Sequence, residues 1–327
     1  MQEIDPMITA ALKYLPADFA GFDRVYDAKL RPELERLEAA RLGAASKAKQ
    51  GYLYGGAVGV IGLLAGLLIL ATPILGGFSA VIGFITAAVM GSDLRTIGKQ
   101  AKSLMVQPIA QEFQLDYQEA PGVQAGIADF RSAKLLPGWD RQNFEDRLTG
   151  TRKGTSFEFF EAHLEVKRQT RDSNGRMKTR WVTVFRGQCL RFKFAKSFLG
   201  RTLVARDAGF FNRFGGGDGM RIAKLEDPKF EKLFTVYTTD QVESRFLLTP
   251  DFMQRLVDLE DAFHGGKLRC AFVAGEILIA LEGGDLFEPG SMFKPMDNPE
   301  RVRELLMDFA AVFHLIDSAS GANHRTR

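Results

Sequence analysis

The sequence has few of the side chains that build metal centres and disulfides. It contains two cysteines, Cys189 and Cys270, and four histidines in 327 residues. Both cysteines lie in apolar, strand-like stretches, and their spacing matches no metal-binding or disulfide pattern. This argues against a disulfide framework, and both thiols are expected to be core residues in a reducing compartment.

A catalytic signature is also missing. The glycine-rich loop at 215–219 lacks the strand and helix spacing of a phosphate-binding loop, and no histidine is placed to form a triad with a serine or cysteine. Glu161, His163 and Glu165 alternate along one predicted strand, so they would share a face as metal ligands can. A solvated strand face explains the same alternation and is the interpretation that we favour. The sequence therefore predicts no catalytic residue, no metal and no cofactor.

One long segment contains no charge. No Asp, Glu, Lys, Arg or His occurs between Lys49 and Asp93. A membrane-spanning helix needs only about 20 apolar residues, so the segment is long enough for two. We predict a transmembrane hairpin of two helices, at 52–71 and at 78–90 with its flanks, because Pro73 and the glycines after it break the helix and allow a reversal. A buried helical hairpin of a soluble protein is the alternative.

Basic residues on both sides of this segment predict its orientation. The turn between the two helices has no charge, and the flanking bases are Lys47, Lys49, Arg95, Lys99 and Lys102. The positive-inside rule then places both chain ends in the cytoplasm.

Glycines recur through the first predicted span. They lie three or four residues apart, at Gly51, Gly55, Gly59, Gly62 and Gly66. Such spacing lets a neighbouring helix approach closely. We expect the glycines to pack the two helices of the hairpin against each other, and a homo-oligomer interface is the alternative.

The remaining sequence predicts an α+β protein. Apolar residues at helical spacing mark an amphipathic segment before the hairpin and a stalk helix after it. Further along, alternating strands and two capped helices indicate a mostly antiparallel sheet. The predicted organisation is an amphipathic N-terminal segment (1–50), a two-helix transmembrane hairpin (51–92), a return stalk helix (93–114), a cytoplasmic α+β domain (115–318) and a disordered tail (319–327).

The strongest turn signal in the sheet region is Asn174–Gly175, because both residues tolerate the positive φ angles of a two-residue hairpin. It predicts that strand 157–169 pairs with strand 177–194. The apolar alternation changes parity at Phe159–Phe160. Such a slip is typical of a β-bulge, which we expect there.

Positive charge is concentrated in the first part of the sheet region. Residues 147–206 contain 15 Lys and Arg against four acids, whereas residues 225–308 contain 17 acids against nine bases. The two parts could face each other, or the basic part could contact anionic lipid headgroups at roughly 1 kcal/mol per well-placed charge. Nucleic acid is disfavoured because no known binding motif accompanies the charge. The candidate interaction residues are the basic Arg168, Arg171, Lys178 and Arg180 and the aromatic Phe210, Phe211 and Phe214 of an interfacial membrane contact.

Asp240, Glu243 and Arg245 form the densest charged cluster on a predicted element. Glu243 and Arg245 are two residues apart, so they would share one face of an extended segment and form a structural ion pair. Acid–base chemistry at these carboxylates is the alternative, and it would require a pocket and a raised pKa.

Four stretches carry a family resemblance. They are residues 230–237 (FEKLFTVY), 240–245 (DQVESR), 247–250 (LLTP) and 287–289 (FEP). With them the chain resembles an uncharacterised family of bacterial membrane proteins that carry a domain of unknown function, in which a double membrane span precedes a cytoplasmic β-rich domain. The resemblance implies the bacterial inner membrane and supplies no activity.

Two hypotheses on function follow. The first is a membrane-anchored cytoplasmic binding or scaffold module that docks a membrane or cytoplasmic protein partner or the lipids of the anionic inner leaflet. The second is a membrane-bound hydrolase that acts on a lipid or peptide through carboxylates near Asp240 and Glu243.

Overall fold

The structure is a computed structural model that describes residues 16–68, 73–122, 126–171, 176–194, 197–206, 219–262 and 267–320. The chain forms two compact units. The helical unit comprises Met1–Ile109 and Phe287–Asp308, and the sheet unit comprises Ala110–Leu286 and Phe309–Arg327. Most of the predicted tail (321–327), the end of the first predicted span (69–71) and Thr72 of the predicted break lie outside the described residues, and the rest of that break, from Pro73, is helical.

The helical unit contains one long helix and two that follow it. In chain order the elements are a 3-10 turn (Ala17–Phe19), α1 (Phe22–Val25), a π-helical turn (Tyr26–Leu30), α2 (Arg31–Leu68), α3 (Pro73–Met90) and the greater part of α4 (Ser92–Glu112). Pro73 is the first residue of α3, where a missing N–H costs little. Pro32 follows the π-helical turn in a continuous helical segment.

α2 and α4 pack together at the ends of the uncharged segment. Their apolar stripes meet in one buried cluster formed by Ala44, Ala45, Ala48, Leu94 and Ile97. On the exposed side, the Lys47 ammonium donates to the Asp93 carboxylate at 2.7 Å. The helices on the two sides of the uncharged segment are therefore paired.

α2 and α3 form an antiparallel hairpin with backbone contact. A Cβ atom added to Gly55 would lie 2.3 Å from the carbonyl oxygen of Gly83. A Cβ atom on Gly51 would overlap the Met90 side chain, and one on Gly62 would overlap Ser79. The predicted glycine stripe therefore packs the hairpin against itself at these positions, because only glycine permits so close an approach.

The outer surface of this hairpin is apolar. Large side chains that are more than half exposed surround both helices, and they include Leu53, Val60, Ile61, Phe78, Val81, Ile82, Phe84, Ile85 and Val89. Within the described residues, the stretch Gly77–Glu112 is long and apolar enough to cross a membrane, by length and composition alone. The described part of the chain therefore contains one candidate spanning stretch by this criterion, and insertion of both helices stays a prediction.

Replacing Gly55 by Ala is expected to loosen the hairpin. The added Cβ would lie 2.3 Å from the Gly83 carbonyl oxygen, so the two backbones must separate. We expect a lower Tm for the full-length protein in detergent, equivalent to a loss of about 1–3 kcal/mol. Gly56→Ala is the control, because a Cβ at Gly56 meets nothing within 4 Å and alanine favours a helix. Equal melting temperatures for the two variants would contradict the packing.

The sheet unit contains a nine-stranded antiparallel sheet with the order β1-β2-β3-β4-β9-β8-β5-β7-β6. In chain order the strands are β1 (Asp116–Gln118), β2 (Arg141–Arg152), β3 (Thr155–Arg171), β4 (Met177–Lys193), β5 (Thr202–Ala205), β6 (Arg221–Ala223), β7 (Thr235–Thr238), β8 (Leu268–Val273) and β9 (Glu276–Glu282). The predicted class, a mixed helix and sheet protein with antiparallel strands, is confirmed.

Helices cover both faces of this sheet. They are α5 (Ile127–Ser132), α6 (Pro228–Leu233), α7 (Gln241–Leu247), α8 (Pro250–Ala262) and α9 (Pro299–Ser320), of which α9 belongs to this unit from Phe309 onward. On one face the ring of Phe130 in α5 lies 5.7 Å from that of Phe160 in β3. On the other, the ring of Phe252 in α8 lies 5.5 Å from that of Phe272 in β8. Both strands therefore bury successive residues.

The two cysteines lie in this double-sided core. Cys189 in β4 and Cys270 in β8 are free and buried. Burial raises the pKa of both thiols. Both are therefore core residues, as predicted, and a neutral thiol is the stable form at each position.

The bulge of the β3–β4 hairpin lies away from its predicted place. The ladder runs unbroken up to the pair Leu164–Phe185, after which Val184 is the extra residue in β4. The predicted bulge at Phe159–Phe160 is therefore wrong. Both phenylalanines are fully buried because helices cover both faces of the sheet, so the apolar alternation fails without a slip in register.

Candidate functional site

The outer part of the β3–β4 hairpin is a two-stranded ribbon rich in basic residues. We call residues 167–171 and 177–181 the basic ribbon, and every one of them is exposed. The turn that joins its strands, 172–175, lies outside the described residues. A ribbon without cover on either face gains little from apolar burial, so its side chains are placed for solvent or for a partner.

Two arginines lie directly opposite each other in the basic ribbon. Arg168 pairs with Arg180, and Thr170 pairs with Lys178. The alternation of a strand then places all three cations on one face. Neither arginine forms an ion pair with another described residue. Like charges at opposite positions destabilise a sheet, and an anion bound beside them would remove that repulsion.

The other face of the basic ribbon mixes charge with apolar groups. Arg171 pairs with Met177, and Lys167 pairs with Trp181. The Arg141 guanidinium lies 4.5 Å from the centroid of the Trp181 ring, a cation–π contact. The predicted interaction residues therefore divide between the two faces, and Phe210, Phe211 and Phe214 lie outside the described residues.

A second feature is a small pocket on β2, β3 and β4. It has a volume of about 40 Å³ and is lined by Asn143, Glu145, Glu161, Ala162, His163, Arg186 and Asp285. A water molecule needs roughly 10–15 Å³ on this measure. The pocket can therefore hold a few waters or a hydrated ion, and it is too small for a peptide or a lipid headgroup.

Glu161 is the buried acid of this pocket, with 4% of its surface exposed. Its Oε1 accepts the Leu286 N–H at 2.7 Å and the Gln188 amide at 3.2 Å. Its Oε2 has no hydrogen-bond partner among the described residues. The pKa of Glu161 is raised to about 8, chiefly by burial and in smaller part by the charges of Asp146 and Asp285, while the two hydrogen bonds act to lower it.

Gln188 and Arg186 complete the polar surroundings of Glu161. Gln188 is 2% exposed and donates to the Gly284 carbonyl at 2.6 Å, while its own Oε1 has no partner among the described residues. Arg186 donates to both oxygens of Asp285, with Nε 2.9 Å from Oδ1. Arg186 therefore neutralises Asp285, and Glu161 Oε2 and Gln188 Oε1 are left without a hydrogen-bond partner among the described residues.

A β-bulge in β2 buries another acid close to Glu161. The β2–β3 register shifts between Glu145 and Leu148, and Asp146 there has a φ of 55°. Asp146 is fully buried, and its Oδ1 accepts the Tyr117 hydroxyl at 2.6 Å. Burial, assisted by the Asp146 charge, raises the pKa of Tyr117. Positive φ is uncommon outside glycine and often marks a functional position.

The structure separates the three alternating residues of β3. Glu161 is buried in the pocket, so its interpretation as part of a solvated face is wrong. His163 lines the pocket, but its Nε2 lies 2.9 Å from the Thr183 hydroxyl. Glu165 accepts the Arg141 guanidinium at 2.6 Å. Glu161 and His163 therefore line one pocket, whereas Glu165 does not belong to it.

Asp240 and Glu243 hold the backbone in place. Asp240 is the N-cap of α7 and accepts the N–H groups of Val242 and Glu243 at 2.8 and 2.9 Å. Glu243 accepts the N–H groups of Leu199 and Gly200, both at 2.7 Å. A carboxylate that accepts two backbone donors is a structural group, so the geometry favours no acid–base role here.

The expected partner of Glu243 is also different. The segment is helical instead of extended, and Arg245 donates to the Gln241 carbonyl at 3.2 Å. Residues two apart point to different sides of a helix, which is why the predicted Glu243–Arg245 ion pair is wrong. Asp240 with Glu243 three residues later is a capping-box pattern, and that signal was present in the sequence.

Comparison with known proteins identifies a domain in the second half of the chain. Residues 183–319 match the family described as "Protein of unknown function (DUF3137)". These residues form a DUF3137 domain. It contains Arg186 and Asp285 of the pocket and the neighbouring Gln188, whereas Glu161, Asp146 and the whole basic ribbon precede it. The domain of unknown function that the sequence resemblance implied is thereby confirmed.

Other comparisons add little. No curated protein matches the sequence. Among solved structures, the crystal structure of the mycobacterial trehalose monomycolate transport factor A, TtfA, is 10% identical, with a TM-score of 0.32 over 65% of this chain and 94% of that one. A likeness at this level supports no inference about this chain.

Proposed function

We propose that this chain is a membrane-anchored cytoplasmic binding protein whose basic ribbon docks on the anionic inner leaflet. The anchor is the hairpin of α2 and α3, and both of its helices cross the bacterial inner membrane. Support comes from its apolar, exposed outer surface and from the lack of charge between Lys49 and Asp93. Soluble monomeric proteins rarely expose an apolar surface of this extent to water. The flanking bases favour cytoplasmic chain ends.

The observation that carries the docking step is the placement of Arg168 opposite Arg180. Residues 167–180 contain six bases and one acid, and each base near an anionic surface contributes roughly 1 kcal/mol. The two arginines are repelled in the free ribbon and are both attracted to phosphate groups, so contact with lipid relieves strain as well as adding attraction. Trp181 supplies an aromatic ring of the kind enriched at membrane interfaces.

The hairpin makes such weak attraction sufficient. Because the chain tethers the ribbon to the membrane, binding is intramolecular and its effective concentration is high. A hydrolase acting through Asp240 and Glu243 has no comparable support, since both carboxylates are used by backbone N–H groups.

The test is a fluorescent reporter on the ribbon. Thr170 is exposed on the ribbon face that carries Arg168 and Arg180, so Thr170→Cys can carry an environment-sensitive dye in full-length protein reconstituted in nanodiscs. We expect a blue shift when phosphatidylglycerol is added to phosphatidylcholine. The shift should vanish near 1 M salt, where the screening length falls to about 3 Å.

Charge-reversal variants distinguish binding through the basic ribbon from an effect of the protein's net charge. Arg168→Glu with Arg180→Glu should abolish the blue shift. Lys229→Glu with Lys232→Glu, on exposed positions of α6, makes the same change in charge and should leave it intact. If the dye on the otherwise wild-type protein shows no blue shift with anionic lipid, leaflet docking is overturned. If another protein co-purifies with the wild type and not with the charge-reversal variant, that protein is the partner instead of the leaflet.

A further inference from the structure

The pocket around Glu161 brings several carboxyl groups together. Those of Glu145, Glu161 and Asp285 line it and that of Asp146 lies beside it, and Arg186 donates to Asp285. Carboxylate oxygens of Glu145 and Asp146 lie within 4.8 Å of one another. Buried charges are costly unless they are paired or coordinate a metal.

Two unsatisfied acceptors point at what is missing. The Glu161 side chain lines the pocket, is 96% buried and has no partner for Oε2, and Gln188 Oε1 is a second buried acceptor without one among the described residues. Buried polar atoms are almost always satisfied by protein, water or an ion. When Glu161 is ionised both atoms are acceptors, and a cation with its bound waters would satisfy them.

We propose that this pocket binds one hydrated divalent cation through Glu161. Oxygen ligands without sulfur select hard cations such as Mg²⁺, Ca²⁺ and Mn²⁺. Mg²⁺ in particular is usually held by one or two carboxylates and keeps several waters. A volume of about 40 Å³ matches an ion with a few waters and excludes an organic cation of any size.

The positive φ of Asp146 fits the same site. The bulge at Glu145–Asp146 brings the carboxylates of two consecutive acids close together, where a regular strand would send them to opposite faces. The positive φ strains the backbone at Asp146, and this strain occurs where two carboxylates are brought close together. The site would then clamp β2, β3 and the segment after β9 together.

Cation titration of the full-length protein in detergent tests the site. After treatment with a chelator and its removal, we expect calorimetry with Mg²⁺, Ca²⁺ and Mn²⁺ to show one ion per chain and the Tm to rise with bound ion. Glu161→Gln should weaken binding by about tenfold or more, and Glu145→Gln at the pocket rim by a smaller factor. Glu165→Gln, four residues from Glu161 on the same strand, should bind as the wild type.

The outcomes separate binding from folding. Glu161→Gln removes a buried charge, so the variant should fold without the ion and lose only the response to it. Wild-type protein that takes up none of the three ions overturns the proposal and leaves ordered water in the pocket. Equal binding by the wild type and Glu161→Gln also overturns it, because the ion would then lie elsewhere.

Discussion

Replacing Glu161 by Gln raises the free energy of unfolding at pH 9 by on the order of 4 kcal/mol when a chelator is present. The cause is the buried carboxyl, whose pKa rises from 4.5 to about 8 on folding. Between these two pH values the folded state binds a proton that the unfolded state has released. Below pH 4.5 the Glu161 carboxyl is protonated in both states, so it costs the wild type no stability. As the pH rises the free energy of unfolding falls, and it levels off above pH 8, where the folded state must bury the charge.

The pH profile is what identifies the cause. The difference between Glu161→Gln and the wild type should be small at pH 4 and grow until about pH 8, because only the wild type has a charge to bury. Denaturant unfolding of the full-length protein in detergent, at a series of pH values, measures it. Glu165→Gln should follow the wild-type profile. A constant difference at all pH values would mean that Glu161 acts through packing alone.

Asp317→Asn is expected to cost about 3–5 kcal/mol, because it breaks a buried ion pair from one side. Asp317 in α9 accepts Arg152 through two hydrogen bonds, at 2.8 and 2.6 Å, and Lys153 at 2.9 Å. Only 8% of the Asp317 side chain and 11% of the Arg152 side chain are exposed. The Arg152 guanidinium also lies 4.2 Å from the centroid of the Phe313 ring.

A second acid in α9 provides the comparison. Glu300 pairs with Arg303 at an exposed position of the same helix, and exposed pairs contribute about 0–1 kcal/mol. Unfolding should therefore distinguish Asp317→Asn sharply from Glu300→Gln. Hydrogen exchange in the last turns of α9 should rise only in the former. If both variants unfold alike, packing of the aromatic residues and not the ion pair holds this helix end.

Local sequence signals were read correctly where one interaction decides the structure. Thr249 caps α8, accepting the Phe252 N–H at 3.3 Å, and Asn298 caps α9, accepting the Glu300 N–H at 3.0 Å. In both helices the capping residue, the proline that follows it and the N–H that the cap accepts lie within four consecutive residues. The pairing of β3 with β4 follows in the same way, from strands that are neighbours in sequence.

Burial on both faces of the sheet could not be predicted locally. β4 lies beside β9 and β5 beside β8, so a strand's surroundings come from segments far along the chain. Phe159 and Phe160 were therefore interpreted as a bulge, and Glu161 as solvated. The Leu286 N–H that binds Glu161 is 125 residues away, and the two N–H groups held by Glu243 are 44 and 43 residues away.

The sequence by itself determined the uncharged helical hairpin, the capped helices and the β3–β4 pairing, because each depends on residues close together in the chain. It also located the basic ribbon, since charge is visible in any composition. Only the tertiary structure decided which charges are paired, opposed or buried. The cross-strand pairing of Arg168 with Arg180 depends on the register of β3 and β4. The burial of Glu161 depends on the order of the strands. Both properties are set by the whole sheet.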